Sequence, residues 1–105
     1  MNPVLVTTTV PSIEEATKLS SGLVQEKLAA CVNIVGPIQS FYYWDGKIVE
    51  DKEYKLFIKT LDNKWDEIKK YIKQHHSYTV PEISKINIEQ MDEAYLKWLM
   101  EYVQT

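Results

Sequence analysis

Ala29-Ala30-Cys31-Val32-Asn33-Ile34-Val35-Gly36-Pro37-Ile38-Gln39-Ser40-Phe41-Tyr42-Tyr43-Trp44-Asp45-Gly46-Lys47-Ile48 contains an Asp-Gly pair at 45–46 with β-rich sequence on both sides. Asp-Gly in that setting is a strong signal for a two-residue hairpin turn. The returning arm, Lys47 to Thr60, alternates: Tyr54, Leu56 and Ile58 share one face, and Lys47, Asp51, Glu53, Lys55 and Lys59 share the other. A tight turn pairs Trp44 with Lys47 and Tyr42 with Val49. Carried down unchanged, that register sets the polar Asn33 opposite Ile58 on the buried face. One extra residue at Gly36-Pro37 moves Ile34 opposite Leu56 and Val32 opposite Ile58, restoring an apolar face on both arms, so a β-bulge is predicted there.

The arms are 16 and 14 residues long and would extend ~45 to 55 Å at ~3.3 Å per residue, about twice an ordinary strand. The tip therefore overhangs its own sheet, carrying Phe41, Tyr42, Tyr43 and Trp44 with it. An isolated two-stranded ribbon is marginal in water, and clustered aromatics are unfavourable to leave wet. The expectation is that it packs on another subunit; the alternative is a monomer whose hairpin curls back over its own open sheet face.

Working outward, Val4 to Val10 is a β-branched run ended by Pro11, suited to a first strand. Ser12 followed by Glu15 has the form of a capping box, and Ala16, Leu19, Leu23 and Leu28 recur at helical spacing, giving a first helix from about Ser12 to Lys27. Asp62 or Asn63 is placed to cap a second helix ending near His76, with Trp65, Ile68, Tyr71, Ile72 and His75 on one face. Pro81 to Ile88 alternates as a fourth strand, and a third helix starts near Asp92 with Tyr95, Trp98, Leu99 and Tyr102 on one side. The order β-α-β-β-α-β plus a terminal helix is that of an α+β, ferredoxin-like sandwich, a single domain over residues 1–105.

Composition narrows the function. All 12 basic residues are lysines and the net charge is −3, so nothing can form an arginine fork on phosphate and a polyanion is repelled; nucleic acid is not an expected partner. The arm Glu53-Tyr54-Lys55-Leu56-Phe57-Ile58 also lacks the pattern of an RNA-binding sheet. Acylphosphatase-like chemistry on this fold would need an arginine. The three glycines are never clustered, which excludes phosphate loops and dinucleotide turns. No apolar stretch reaches the ~18 residues of a membrane span and no signal-like start is present, so the expectation is a cytoplasmic chain that does not engage a membrane. A single cysteine, Cys31, forms no internal disulfide, which agrees with a reducing compartment. The acidic residues suggest no convergent general acid/base pair, so no enzymatic activity is expected.

Beyond the hairpin, Glu26-Lys27-Leu28-Ala29-Ala30-Cys31-Val32-Asn33-Ile34, Ser40 to Ile48, Glu53 to Thr60, His76-Ser77-Tyr78-Thr79-Val80-Pro81-Glu82-Ile83 and Tyr95-Leu96-Lys97-Trp98 together resemble the CutA divalent-cation-tolerance family, in that family's order and over most of the chain. The resemblance implies a ferredoxin-like protomer in a homotrimer similar to PII signalling proteins, with a role in the response to copper and other divalent metal ions and no organic cofactor.

Several residues are candidates for that chemistry. Cys31 lies opposite Lys59 after the bulge; a neighbouring ammonium favours the metal-binding thiolate, while a small buried thiol packing an interface is the structural alternative. Imidazole with thiolate or carboxylate suits Cu(II) or Zn(II), and His76 with Glu82 converge if the intervening segment folds back. In the family pattern the histidine before x-Tyr corresponds to His76, which places it ahead of His75; core packing and a helix C-terminal contact are the structural readings of the two. A site shared between subunits would take Cys31 or Glu82 from one and His76 from another. Trp44, Tyr78, Tyr95 and Trp98, with Lys59 as an anion holder, are candidates for an intersubunit ligand cleft, and a PII-like module sensing a small anionic metabolite is the alternative function.

Overall fold

The computed structural model describes residues 2–104. Strand β1 (Pro3–Val10) is followed by α1 (Ile13–Gln25), β2 (Cys31–Trp44), β3 (Lys47–Leu61), α2 (Trp65–His75), β4 (Ser84–Asn87) and α3 (Glu93–Val103). The four strands form one antiparallel sheet in the order β2-β3-β1-β4, the ferredoxin-like arrangement expected from the sequence.

The core lies between one face of that sheet and helices α1 and α2. Val4, Val6, Leu56 and Ile58 from the strands meet Ala16, Leu19, Leu23, Ile68 and Ile72 from the helices. Removing a Leu or Ile side chain this fully from water stabilises by roughly 1.5–3 kcal/mol. Helix α3 packs elsewhere, burying Leu99 and Val103 against Leu61 and Ala30 in a second cluster. Trp98 lies off that buried stripe, 47% exposed.

The hairpin has the register its sequence demands. Trp44 pairs with Lys47, Ile34 with Leu56, Val32 with Ile58 and Cys31 with Lys59, with the shift between Val35 and Ile38. At the turn, Asp45 and Gly46 both take positive φ (51° and 79°), the left-handed pair that matches strand twist. Gly36 is needed at the bulge because a Cβ there would run into the Tyr54 ring and sit 3.0 Å from the Glu53 carbonyl oxygen. Strand β1 pairs with β3 only as far as Val10↔Tyr54. Ile38–Trp44 and Lys47–Glu53 thus leave the sheet as a two-stranded ribbon ~23 Å long. The chain measures 45 × 25 × 22 Å, and the hairpin does not curl back over its own sheet.

Three local expectations are corrected. Helix α1 stops at Gln25 rather than Lys27, because Lys27 adopts φ 58° and its N–H and that of Leu28 return to the Val24 and Leu23 carbonyls, a Schellman closure without glycine. Neither Asp62 nor Asn63 caps α2 with its side chain; Asp62 opens a 3-10 turn and holds Lys85 at 2.6 Å. Ser12 does cap α1, accepting from Glu15 N–H at 3.1 Å, but the Glu15 carboxylate accepts instead from Ser77 N–H at 3.0 Å. The capping box is thereby opened to hold the chain after α2.

Candidate functional site

The segment Ser77–Ile83 crosses from the end of α2 to β4 and covers one end of the open sheet face. His76 anchors it. Its side chain is 0% exposed; the Tyr78 N–H donates to Nδ1 at 3.0 Å, which makes Nε2 the donor to the Thr9 carbonyl at 2.8 Å. Glu15 lies 3.6 Å from Nδ1. Glu82 anchors the other end of the segment: it accepts from Thr7 Oγ1 at 2.9 Å, Ser84 Oγ at 2.7 Å and Thr9 Oγ1 at 3.4 Å, and Lys55 Nζ stands 3.5 Å away. His76 and Glu82 thus converge on Thr9, as the folding-back of the segment requires, but each is already engaged by the chain itself.

Between this segment and the ribbon lies a cleft of about 530 Å³, lined by Ser40, Phe41, Tyr42 and Trp44 on the ribbon side and by Ser77 to Val80 and Glu82 opposite. Glu53 lines it and is only 6% exposed. Its position on the alternating polar face of β3 suggests a solvated residue; the correction comes from Tyr78, which folds over it and donates its hydroxyl to Glu53 Oε2 at 2.7 Å. Burial, and then this hydrogen bond, push the Tyr78 hydroxyl well above the usual phenol value, so it stays a donor. Tyr42 donates to Asp51 at the rim of the ribbon, and that bond raises its hydroxyl too.

The predicted cleft residues do not all meet. Trp44 and Tyr78 line this cleft, whereas Lys59 sits over the Tyr95 ring at 5.4 Å and the Tyr95 ring lies tilted against Trp98 at 5.3 Å, a separate group beside α3. Cys31 belongs with that second group: it is partly exposed, pairs with Lys59, and directs its thiol toward Asn33 Oδ1 at 3.9 Å. Cys31 and Lys59 share a rung with Leu5, four residues from Thr9 on β1 and so ~13 Å along the strand. His75 is exposed rather than in the core; its ring stacks on Tyr71 at 4.1 Å. Among the described residues no three His, Cys, Asp or Glu side chains gather as a metal-holding group.

The family model for the CutA1 divalent ion tolerance protein matches residues 4–102. The divalent-cation tolerance protein CutA of Pyrococcus horikoshii is 44% identical over 98 residues, 93% of this chain and 95% of that protein. Among solved structures, the periplasmic divalent cation tolerance protein CutA from Archaeoglobus fulgidus superposes with a TM-score of 0.94 at 42% identity, covering 96% of this chain and 98% of its own. CutA1 from Oryza sativa superposes with a TM-score of 0.95 at 39% identity, covering 97% and 94%. The long hairpin, the sheet order and the segment over Thr9 therefore belong to a shared design, and this chain is a member of the CutA1 divalent ion tolerance family.

Proposed function

We propose that this protein is a non-enzymatic homotrimer that binds divalent metal ions, chiefly copper, and acts in the cytoplasmic response to them. The observation that carries the reading is the family match along nearly the whole chain, to relatives named for divalent-cation tolerance. Assembly is supported by the ribbon, whose Phe41, Tyr43 and Ile48 are 66%, 70% and 72% exposed, a contiguous apolar surface of the kind that a partner covers. The copper preference and the number three rest on the family resemblance. The cytoplasmic placement rests on the lone cysteine, and cell fractionation decides it, since the A. fulgidus relative is named periplasmic.

One chain by itself does not fit a metal ion, because Cys31 lies away from His76 and Glu82 and those two are hydrogen-bonded within the chain. Metal as cargo is therefore assigned to donors brought together between subunits. Cys31 and Glu82 are the more accessible of the three, and His76 would have to release the Tyr78 N–H to take part. The alternative of a small anionic metabolite finds no support in the cleft, whose charged lining residues are Glu53 and Glu82. Native mass spectrometry of metal-free protein titrated with Cu(II) tests the reading. A trimer with saturable uptake, weakened at least tenfold in Cys31→Ser or Glu82→Gln, is expected; a monomer or a metal-free trimer overturns it.

A further inference from the structure

Helices α1 and α2 leave a second cleft, of about 350 Å³, between them on the helix-covered side of the sheet, opposite the open face. All of its lining residues belong to these two helices, so neither the ribbon nor any strand supplies a part of it. Small residues on α1 make the room: Ser21 and Gly22 face the large rings of Tyr71 and His75 on α2. Gly22 is required there, because a Cβ would run into the Tyr71 hydroxyl. The space is at the lower end of the ~300–1,000 Å³ of small-molecule sites.

The groups that line this cleft are unevenly engaged. Glu15 is taken up by the chain itself, accepting from the Ser77 N–H at 3.0 Å beside His76. Lys18, one turn further along α1, forms no ion pair among the described residues. The His75 ring stacks on Tyr71 with centroids 4.1 Å apart, and its Nδ1 lies 2.8 Å from the Tyr71 carbonyl. A carbonyl only accepts, so Nδ1 carries the proton; the ring is thereby fixed and Nε2 is left without a hydrogen-bond partner among the described residues. A fixed aromatic stack beside an uncommitted cation is complementary to a flat molecule of single negative charge. A metal ion finds no group of three ligating side chains here, and an organic cation meets Lys18 while the one carboxylate is already committed. We infer that the cleft between α1 and α2 binds a small aromatic carboxylate, with Lys18 as its charge partner and the Tyr71–His75 stack as its platform. The inference does not depend on the metal-binding reading, because the metal candidates Cys31, His76 and Glu82 do not line this cleft.

The test uses the full chain in its native assembly, treated with chelator. Benzoate and 4-hydroxybenzoate are titrated against ¹⁵N-labelled protein, alongside benzamide, the neutral counterpart of benzoate, cyclohexanecarboxylate, which keeps the charge without the aromatic ring, and benzylammonium. Saturable shifts at the amides of Lys18, Gly22, Tyr71 and His75 are expected with at least one of the aromatic carboxylates, with Kd below about 1 mM. Benzamide and cyclohexanecarboxylate should each bind at least threefold more weakly than that carboxylate. Lys18→Gln should weaken it at least threefold as well, the scale of one solvent-exposed ion pair. Failure of both aromatic carboxylates to bind, equal affinity for benzamide or for the ring without aromaticity, tighter binding of benzylammonium at the same amides, shifts confined to the ribbon, or unchanged affinity in Lys18→Gln each overturns the proposal. Because the comparison among probes uses the unaltered protein, a variant that fails to fold does not rescue it.

Discussion

The helix-covered face of the sheet and the overhanging ribbon are built from the same strands, β2 and β3, yet they treat apolar side chains in opposite ways. Leu56 and Ile58, near one end of β3, are fully enclosed by α1, α2 and β1. Ile48, near the other end, is 72% exposed, and Phe41 and Tyr43 across from it are nearly as open. The boundary between the two regimes lies beside the bulge, where β1 ends at Val10. Strand character alone does not make a core; a covering layer does, and past Val10 Phe41, Tyr43 and Ile48 have none. The first region holds the chain together, and the second leaves Phe41, Tyr43 and Ile48 largely exposed in the single chain.

The largest effect that would sharpen this contrast is expected in the enclosed region. Leu56→Ala removes a side chain with no exposure and leaves a cavity between sheet and helices, a loss of about 2–5 kcal/mol. Denaturant midpoints should show that loss at every protein concentration. A loss below about 1 kcal/mol would mean that the helix-covered face is not the main source of stability.

The next effect is smaller and belongs to the boundary. Tyr78→Phe deletes the hydroxyl bonded to Glu53, a cost of about 1 kcal/mol at neutral pH. Its pH dependence follows from the direction of the shift. The folded-state value is raised above the ~10 of a free phenol, so this contribution is fully present below that value and is lost as pH rises through the higher folded one. Between about pH 9 and 11 the unaltered protein should lose more stability than the Tyr78→Phe variant. Parallel losses would show that the hydroxyl is not held by Glu53.

The hairpin is legible in the sequence along both regions. An Asp-Gly turn fixed one end of the register and the demand for an apolar face fixed the other, so the bulge followed from residues 33 to 58 alone. What stayed hidden depended on segments far apart in the chain. Glu53 looks like any outward acid of an alternating strand until Tyr78, 25 positions later, closes over it, and the segment 77–83 that carries Tyr78 has no periodicity from which to foresee that. His76 reads from the sequence as a metal-ligand candidate, and its engagement by the Thr9 carbonyl, 67 positions away, has no local signal. The helix end at Lys27 carries no sequence signal, because a left-handed C-terminal residue is usually glycine. The aromatic candidates divide into two groups because Trp44 and Tyr78 lie on the ribbon and on the segment after α2, whereas Tyr95 and Trp98 lie on α3, beside Lys59.

The smallest expected effect is the most discriminating. Tyr43→Ser changes a side chain that is 70% exposed, and a surface substitution of this kind shifts the stability of the single chain by less than about 0.5 kcal/mol. If the ribbon is covered by neighbouring copies, the same change weakens assembly, and an assembly contributes stability by mass action, in a concentration-dependent way. Thermal midpoints measured over a hundredfold range of protein concentration separate the two contributions. The unaltered protein should melt higher as concentration rises, with Tyr43→Ser reducing that slope while its midpoint at high dilution stays unchanged. A Tyr43→Ser protein that loses as much as Leu56→Ala at every concentration would place Tyr43 in the chain's own core, and the ribbon would then be folded against its sheet in solution rather than held out from it.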